Sequence, residues 1–176
     1  MEPIEIVPLG LTHLDAVLDL GHRVYDVAKT PYTSWSLSSV AGHWDAQPDA
    51  CWVAVDGTGL LGFVLGSLSY DKREDWGYLE WIALEERARG KGVASALVEH
   101  CSDALFAAGA SRIITDVEKG NEASAAMMRR NGFSEGVTVT LFVRPNPHVR
   151  QGPGQHTPQD PARARMCRAA RGLRTP

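Results

Sequence analysis

An α/β sandwich built on a mixed sheet is the fold class that three features of this 176-residue sequence predict. Stretches with a two-residue apolar period alternate with stretches whose apolar residues recur every three to four positions. Two of the strand-like stretches are joined by a glycine-bearing reversal. A composition that is 44% hydrophobic supplies one core for a single domain of this length.

The elements follow in chain order. "IEIVPL" reads as a short strand. Thr12 with Asp15 resembles a capping box opening a helix that runs to about Tyr25, with Leu14, Val17, Leu18 and Val24 on one face. A second helical piece spans about Leu37 to Trp44. "ACWVAVD", "GTG" and "LLGFVLGSLSY" make a β-hairpin whose turn glycines supply positive φ. "DKREDWG" reads as a polar loop and "YLEWIAL" as the next strand. From about Gly92 to Ala108, Val93, Leu97, Cys101 and Leu105 recur on one helical stripe. "SRIITDV" is a strand, Asn121 to Arg130 a helix, and "GVTVTLFVR" a last, alternating strand. The resulting order, β-α-α-β-β-β-α-β-α-β, calls for helices packed on a sheet.

Charge and composition narrow the function classes. Residues 145–176 carry six arginines against one acid, Asp160, whereas the rest of the chain has twelve basic and twenty acidic residues. An acidic body favours cationic ligands and disfavours nucleic acid as a partner. The tail is rich in proline, glycine and arginine and poor in large apolar residues, so it is expected to be disordered, with the domain covering 1–144. A short basic helix within "PARARMCRAARGLRTP" is the alternative. No apolar run is long enough to cross a membrane, and the amino terminus lacks the layout of a signal peptide, so a cytoplasmic protein is expected. Cys51, Cys101 and Cys167 lack metal-site spacing and read as reduced thiols, the first two in the core. No metal site is suggested.

The chemistry-bearing stretch is "RARGKGVA", between the strand "YLEWIAL" and an apolar helix. The first amides of a helix have no partners within it and point outward with the positive end of the helix dipole. Glycines at 90 and 92 let the backbone approach an anion, and Arg87, Arg89 and Lys91 add mobile charge. Neither G-x-x-x-x-G-K-[ST] nor G-x-G-x-x-G is present; Ser95 holds the place of the third glycine in the latter. A solvated charged loop is the plain alternative.

R-x-x-G-x-G at Arg87 to Gly92, followed by Val93-Ala94, resembles the first signature of the GNAT family of N-acetyltransferases. "NEASAAMMRRNGF", from Asn121 to Phe133, is similar to that family's second signature, and the resemblance covers roughly residues 3–144. It implies a mixed, mostly antiparallel central sheet with helices on both faces, and acetyl-CoA as cosubstrate. By position, Ile82, Ala83 and Leu84 would meet the pantetheine arm and acetyl carbonyl beside a bulge. Arg87, Arg89, Gly90, Lys91, Gly92, Val93, Ala94 and Ser95 would cradle the diphosphate. Asn121 would bond the CoA arm or simply cap its helix, and Met128 would line the site.

The implied reaction moves an acetyl group to a primary amine of a small molecule or peptide by direct attack in a ternary complex. Glu80 is the candidate base, because two-residue alternation puts it on the face of Ile82 and Leu84, and because "YLEW" resembles the "YLED" of polyamine-acetylating members. A Glu paired with a cation at the sheet edge is the other reading. A backbone N–H near Leu84 would polarise the thioester. Many members have a tyrosine where Met128 stands, and methionine cannot give the thiolate a proton. Tyr25, Tyr32, Tyr70, Tyr78, a water or solvent remain as sources. That departure leaves a CoA-binding sensor with little turnover as the alternative function. Tyr25, Tyr32, Trp35, His43 and Trp44, with Asp26 and Asp45, would recognise a cationic acceptor or pack ordinarily. A homodimer is compatible with the sequence.

Overall fold

A computed structural model describes residues 3–25, 34–70, 73–142, 144 and 146–148. Five strands form one sheet: β1 (Glu5–Pro8), β2 (Cys51–Asp56), β3 (Gly59–Tyr70), β4 (Arg73–Leu84) and β5 (Arg112–Ile114). Their spatial order is their chain order, antiparallel from β1 to β4 and parallel between β4 and β5. Helices α1 (Leu14–Val24) and α2 (Leu37–Ala46) precede β2; α3 (Val93–Ala107) crosses from β4 to β5, and α4 (Glu122–Arg130) follows.

Each face of the sheet carries its own core. On one, Val17 and Leu20 of α1 and Val40 of α2 pack with Trp35 on Cys51, Val53, Phe63, Leu65, Trp81 and Ala83. On the other, Val93, Leu97, Val98, Cys101 and Leu105 of α3 and Met128 of α4 pack on Ala54, Leu61, Val64 and Leu79. The four-residue stripe expected on α3 is therefore its buried face. On α1 the buried residues are Val17, Leu20 and Gly21, while Val24 is exposed. Gly21 is needed there, since a Cβ would lie 2.0 Å from Cε2 of Trp35. The Trp35 indole in turn donates to the Leu18 carbonyl at 2.8 Å. The Cys51 and Cys101 thiols are buried, and burial pushes the Cys51 pKa up to about 12.

Three expectations change. No Thr12–Asp15 box opens the helix: His13 stands at its N-cap position without a side-chain bond to the helix amides, and its Nδ1 accepts from the Gly10 N–H at 3.0 Å in the preceding turn. β4 begins at Arg73, so most of "DKREDWG" is strand. Its polar residues are held by local partners: Arg73 forms two 2.9 Å bonds to Asp75, and the Ser111 N–H donates to the Asp75 carbonyl at 2.7 Å. The third change is at "GVTVTLFVR", where residues 136–142 pair with no strand among the described residues and are exposed. No described helix is long and apolar enough to cross a membrane. The tail expected over 145–176 lies outside the described residues apart from 146–148.

Candidate active site

The site is set by where β4 and β5 part. Their parallel ladder covers Trp76 to Tyr78 against Arg112 to Ile114. Beyond Tyr78, β4 continues to Leu84 beside a gap. On its other edge β4 stays paired with β3, Ala83 opposite Phe63 and Ile82 opposite Val64, and the Glu85 N–H donates to the Leu61 carbonyl at 2.8 Å. In an antiparallel ladder, alternate residues direct their N–H and C=O toward the partner. Continuing back from Glu85, Ala83 and Trp81 spend their peptide groups on β3. Ile82 and Leu84 direct theirs into the gap. The three positions expected to contact an extended ligand thus separate: Ile82 and Leu84 offer backbone groups, and Ala83 is a buried core methyl.

A β-bulge lies at the same place. Trp81 faces Leu65 and Leu79 faces Gly66, so Glu80 is the extra residue in β4. The bulge overturns the expectation that Glu80 shares a face with Ile82 and Leu84. Ile82 and Leu84 pack toward α3, whereas the Glu80 carboxylate meets His43 of α2, with Nε2 2.9 Å from Oε2. The inserted residue resets the alternation, so Glu80 and Trp81 both face the α1/α2 side. Both members of the pair are mostly buried, His43 at 13% and Glu80 at 10% side-chain exposure. A carboxylate this buried requires hydrogen-bonded partners, and His43 is one of them.

Aromatic rings wall the Glu80 side. Tyr25 lies 4.7 Å from Trp81 and 5.1 Å from Trp35, centroid to centroid. Trp44, also expected near the acceptor, donates from Nε1 to the Leu9 carbonyl at 2.9 Å and is part of the packing of that face. The Tyr78 hydroxyl donates to Asp116, just past β5 where the gap opens. Asp26 and Tyr32 lie outside the described residues.

The cation-rich loop lies at the end of β4, where the chain turns through Glu86–Ala88 into α3. Gly90 and Gly92 hold φ of 73° and 79°, the left-handed region, and nothing lies within 4 Å of a Cβ at either position. Their requirement is conformational, and their outward side is open. The first α3 bond runs from the Ala96 N–H to the Gly92 carbonyl at 3.1 Å. The amides of Val93, Ala94 and Ser95 precede it and form the positive end of the helix. Arg89 and Lys91 are exposed beside them and make no ion pair among the described residues. This arrangement fits a diphosphate.

Arg87 departs from that group. Its Nη1 donates to Asp56 at 2.7 Å and its Nη2 to the Leu60 carbonyl at 3.2 Å, fastening the loop to the β2–β3 turn. The bonds from Thr58 and then Arg87 hold the Asp56 pKa down to about 2. Asn121 caps α4, accepting from the Ser124 N–H at 3.2 Å. Met128 is 5% exposed in the α3/α4 core. Sequence reasoning missed Asn131, whose Nδ2 donates to Ser95 Oγ at 3.1 Å and to the Met127 carbonyl at 2.8 Å, tying the end of α4 to the start of α3. It also missed Asp116. Neither contact has a local signal, since Ser95 lies 36 residues from Asn131 and Tyr78 lies 38 from Asp116.

Residues 16–133 match the model of the acetyltransferase (GNAT) family. An uncharacterised N-acetyltransferase of Methanocaldococcus jannaschii is 27% identical, covering 78% of this chain and 88% of that protein. N-alpha-acetyltransferase 30 of Schizosaccharomyces pombe is 26% identical over 74% of this chain and 83% of its own. Among solved structures, the NatC complex bound to Gag peptide and CoA contains a chain that superposes with a TM-score of 0.68 at 22% identity, covering 78% of this chain and 87% of that one. At that identity the likeness speaks for the fold.

Proposed function

This chain belongs to the acetyltransferase (GNAT) family and is an acetyl-CoA-dependent N-acetyltransferase, and we propose that its acceptor is the free α-amine of a peptide. The observation that carries the proposal is the Glu80–His43 pair, a buried carboxylate on the opposite face of β4 from the α3 core. An amine must lose a proton before it can attack. An α-ammonium has a pKa of about 7.7–8.0, against about 10.4 for a lysine side chain, so deprotonating it at neutral pH costs roughly 3 kcal/mol less. A single carboxylate oriented by a histidine suits the easier task. The N-alpha-acetyltransferase among the relatives supports the same acceptor class.

In this reading the amides of Val93, Ala94 and Ser95, with Arg89 and Lys91, hold the diphosphate, and Ile82 and Leu84 bond the pantetheine arm. Acetyl-CoA supplies the activated thioester, whose C–S bond breaks as the new C–N bond forms. Glu80 takes the ammonium proton, and His43 keeps the carboxylate aimed. The Leu84 N–H, directed into the gap, is placed to polarise the acetyl carbonyl. A thiolate leaving group, with a thiol pKa near 8.5, needs little acid assistance, so Met128 at the tyrosine position is compatible with turnover. Arg87 is assigned to bracing the loop and Asn121 to capping.

Release of CoA thiol across an acceptor panel tests the proposal. Peptides with a free α-amine should give the highest kcat/KM, and the same peptides with a blocked α-amine and an internal lysine should give little. Faster turnover of polyamines or aminoglycosides would overturn the peptide assignment. Tight CoA binding with no acceptor-dependent release would favour a sensor.

A further inference from the structure

The outer side of α3 carries negative charge that its surroundings do not answer. The helix has no lysine or arginine, yet Glu99 and Asp103 stand exposed four residues apart and make no ion pair among the described residues. Like charges at that spacing repel, and Asp103 lies one turn from the negative end of the helix dipole. Both carboxylates line a cavity of about 570 Å³ on the β2 side of α3, walled by Trp52 and His100, whose ring centroids are 4.9 Å apart. The Trp52 indole donates to the Asp49 carbonyl at 2.8 Å, and His100 Nδ1 lies 2.8 Å from the Ala96 carbonyl, so both rings are held in place. Carboxylates beside a fixed aromatic face suit a guanidinium, which pairs with the first and stacks on the second. Asp15 and Asp19 on α1 share the four-residue spacing, but His22 and Arg23 follow them on the same helix.

The sequence itself contains the complementary charge. Residues 145–176 carry six arginines against Asp160, and Arg165, Arg168, Arg171 and Arg174 recur at every third position. We propose that this arginine run docks on the outer face of α3, its guanidinium groups pairing with Glu99 and Asp103 and one of them stacking on Trp52. The two carboxylates are about 6 Å apart along the helix axis, a span that two neighbouring arginines of the run can match. Reach does not limit the contact. The roughly 15 residues from His148 to Arg163 extend to about 50 Å, against a radius of gyration of about 15 Å for a domain of this size. Tethering of this kind gives an effective concentration on the order of millimolar, so contacts too weak to hold a separate peptide suffice. The cavity is on the β2 side of α3 and the gap lies between β4 and β5, so docking leaves the gap open.

A nitroxide on Cys167, inside the run, tests the docking in the full chain. Cys51 and Cys101 are buried and their thiols are held protonated by burial, so a thiol reagent marks Cys167. Paramagnetic broadening of amide signals should concentrate on Trp52 and on Glu99 to Ala107, and should disappear in about 1 M salt, where the Debye length is about 3 Å. Glu99→Lys with Asp103→Lys should abolish the local broadening while the body keeps its cooperative melt, since both residues are exposed. Adding Arg168→Glu and Arg171→Glu to that variant should restore it. Broadening spread evenly over the surface, or centred on α1 and α2, overturns the proposal and leaves the cavity to another cation. Broadening that survives the double reversal overturns it equally. So does broadening of an isotope-labelled chain without nitroxide when it is mixed with the spin-labelled one, because the run would then come from a second copy. None of these readouts uses an acetyl acceptor, so they are separable from the peptide-acceptor proposal.

Discussion

Glu80 is a residue inserted in β4 against β3, and that decides which partners it has. The bulge aims its carboxylate at His43, and the short Nε2–Oε2 contact makes the two side chains one unit. Glu80→Gln keeps the shape and removes the base. It should lower kcat/KM by about 10²–10⁴, with CoA affinity unchanged. His43→Gln keeps an N–H donor and should retain more activity than His43→Ala, because the histidine acts through Glu80. Equal loss in both histidine variants would mean that the imidazole itself moves the proton, and an unchanged kcat/KM in Glu80→Gln would remove the carboxylate from the mechanism.

At the level of elements, the start of α3 and the parting of β4 from β5 together make the proposed donor site. The open side of Gly92 at φ 79° means that Gly92→Glu places its side chain where nothing stands in the free protein. The left-handed backbone costs about 1–3 kcal/mol for a side chain, and a carboxylate at a helix N-terminus recovers about 0.3–1 kcal/mol, so stability should fall modestly. CoA affinity should fall much further, since the new charge faces the diphosphate. Calorimetric titration with CoA and a thermal melt separate the two effects, and wild-type affinity would refute the cradle. Replacing Arg87 by Lys should leave CoA affinity nearly intact but loosen the β2–β3 turn, because its bonds are to Asp56 and Leu60.

Over the whole molecule, two cores on opposite faces of one sheet make stability depend on the strands staying joined. Asp75 fastens β4 to the entry of β5, accepting from Arg73 and then Ser111, and these bonds hold its pKa down to about 2. A depressed carboxylate contributes stability that is present above its unfolded pKa, about 3.9, and is lost as pH falls toward the folded value. Urea unfolding should therefore show stability dropping between about pH 4 and pH 2, and Asp75→Asn should flatten that drop while lowering stability at neutral pH. Much of the fold was legible because its signals are local: the α3 stripe, the hairpin turn, and the paired signatures at Arg87–Gly92 and Asn121–Phe133 need only neighbours in sequence. Hydrophobic period and glycine placement alone established the strand and helix order through α4. Tertiary structure decided what depends on distant partners: that Glu80 faces α2, that Arg87 braces a turn, that Ile82 and Leu84 but not Ala83 open into the gap, and that "GVTVTLF" pairs with no strand among the described residues. A single inserted residue reverses every side chain on one side of it, and periodicity within one strand cannot show that insertion, because a bulge is defined only against the neighbouring strand.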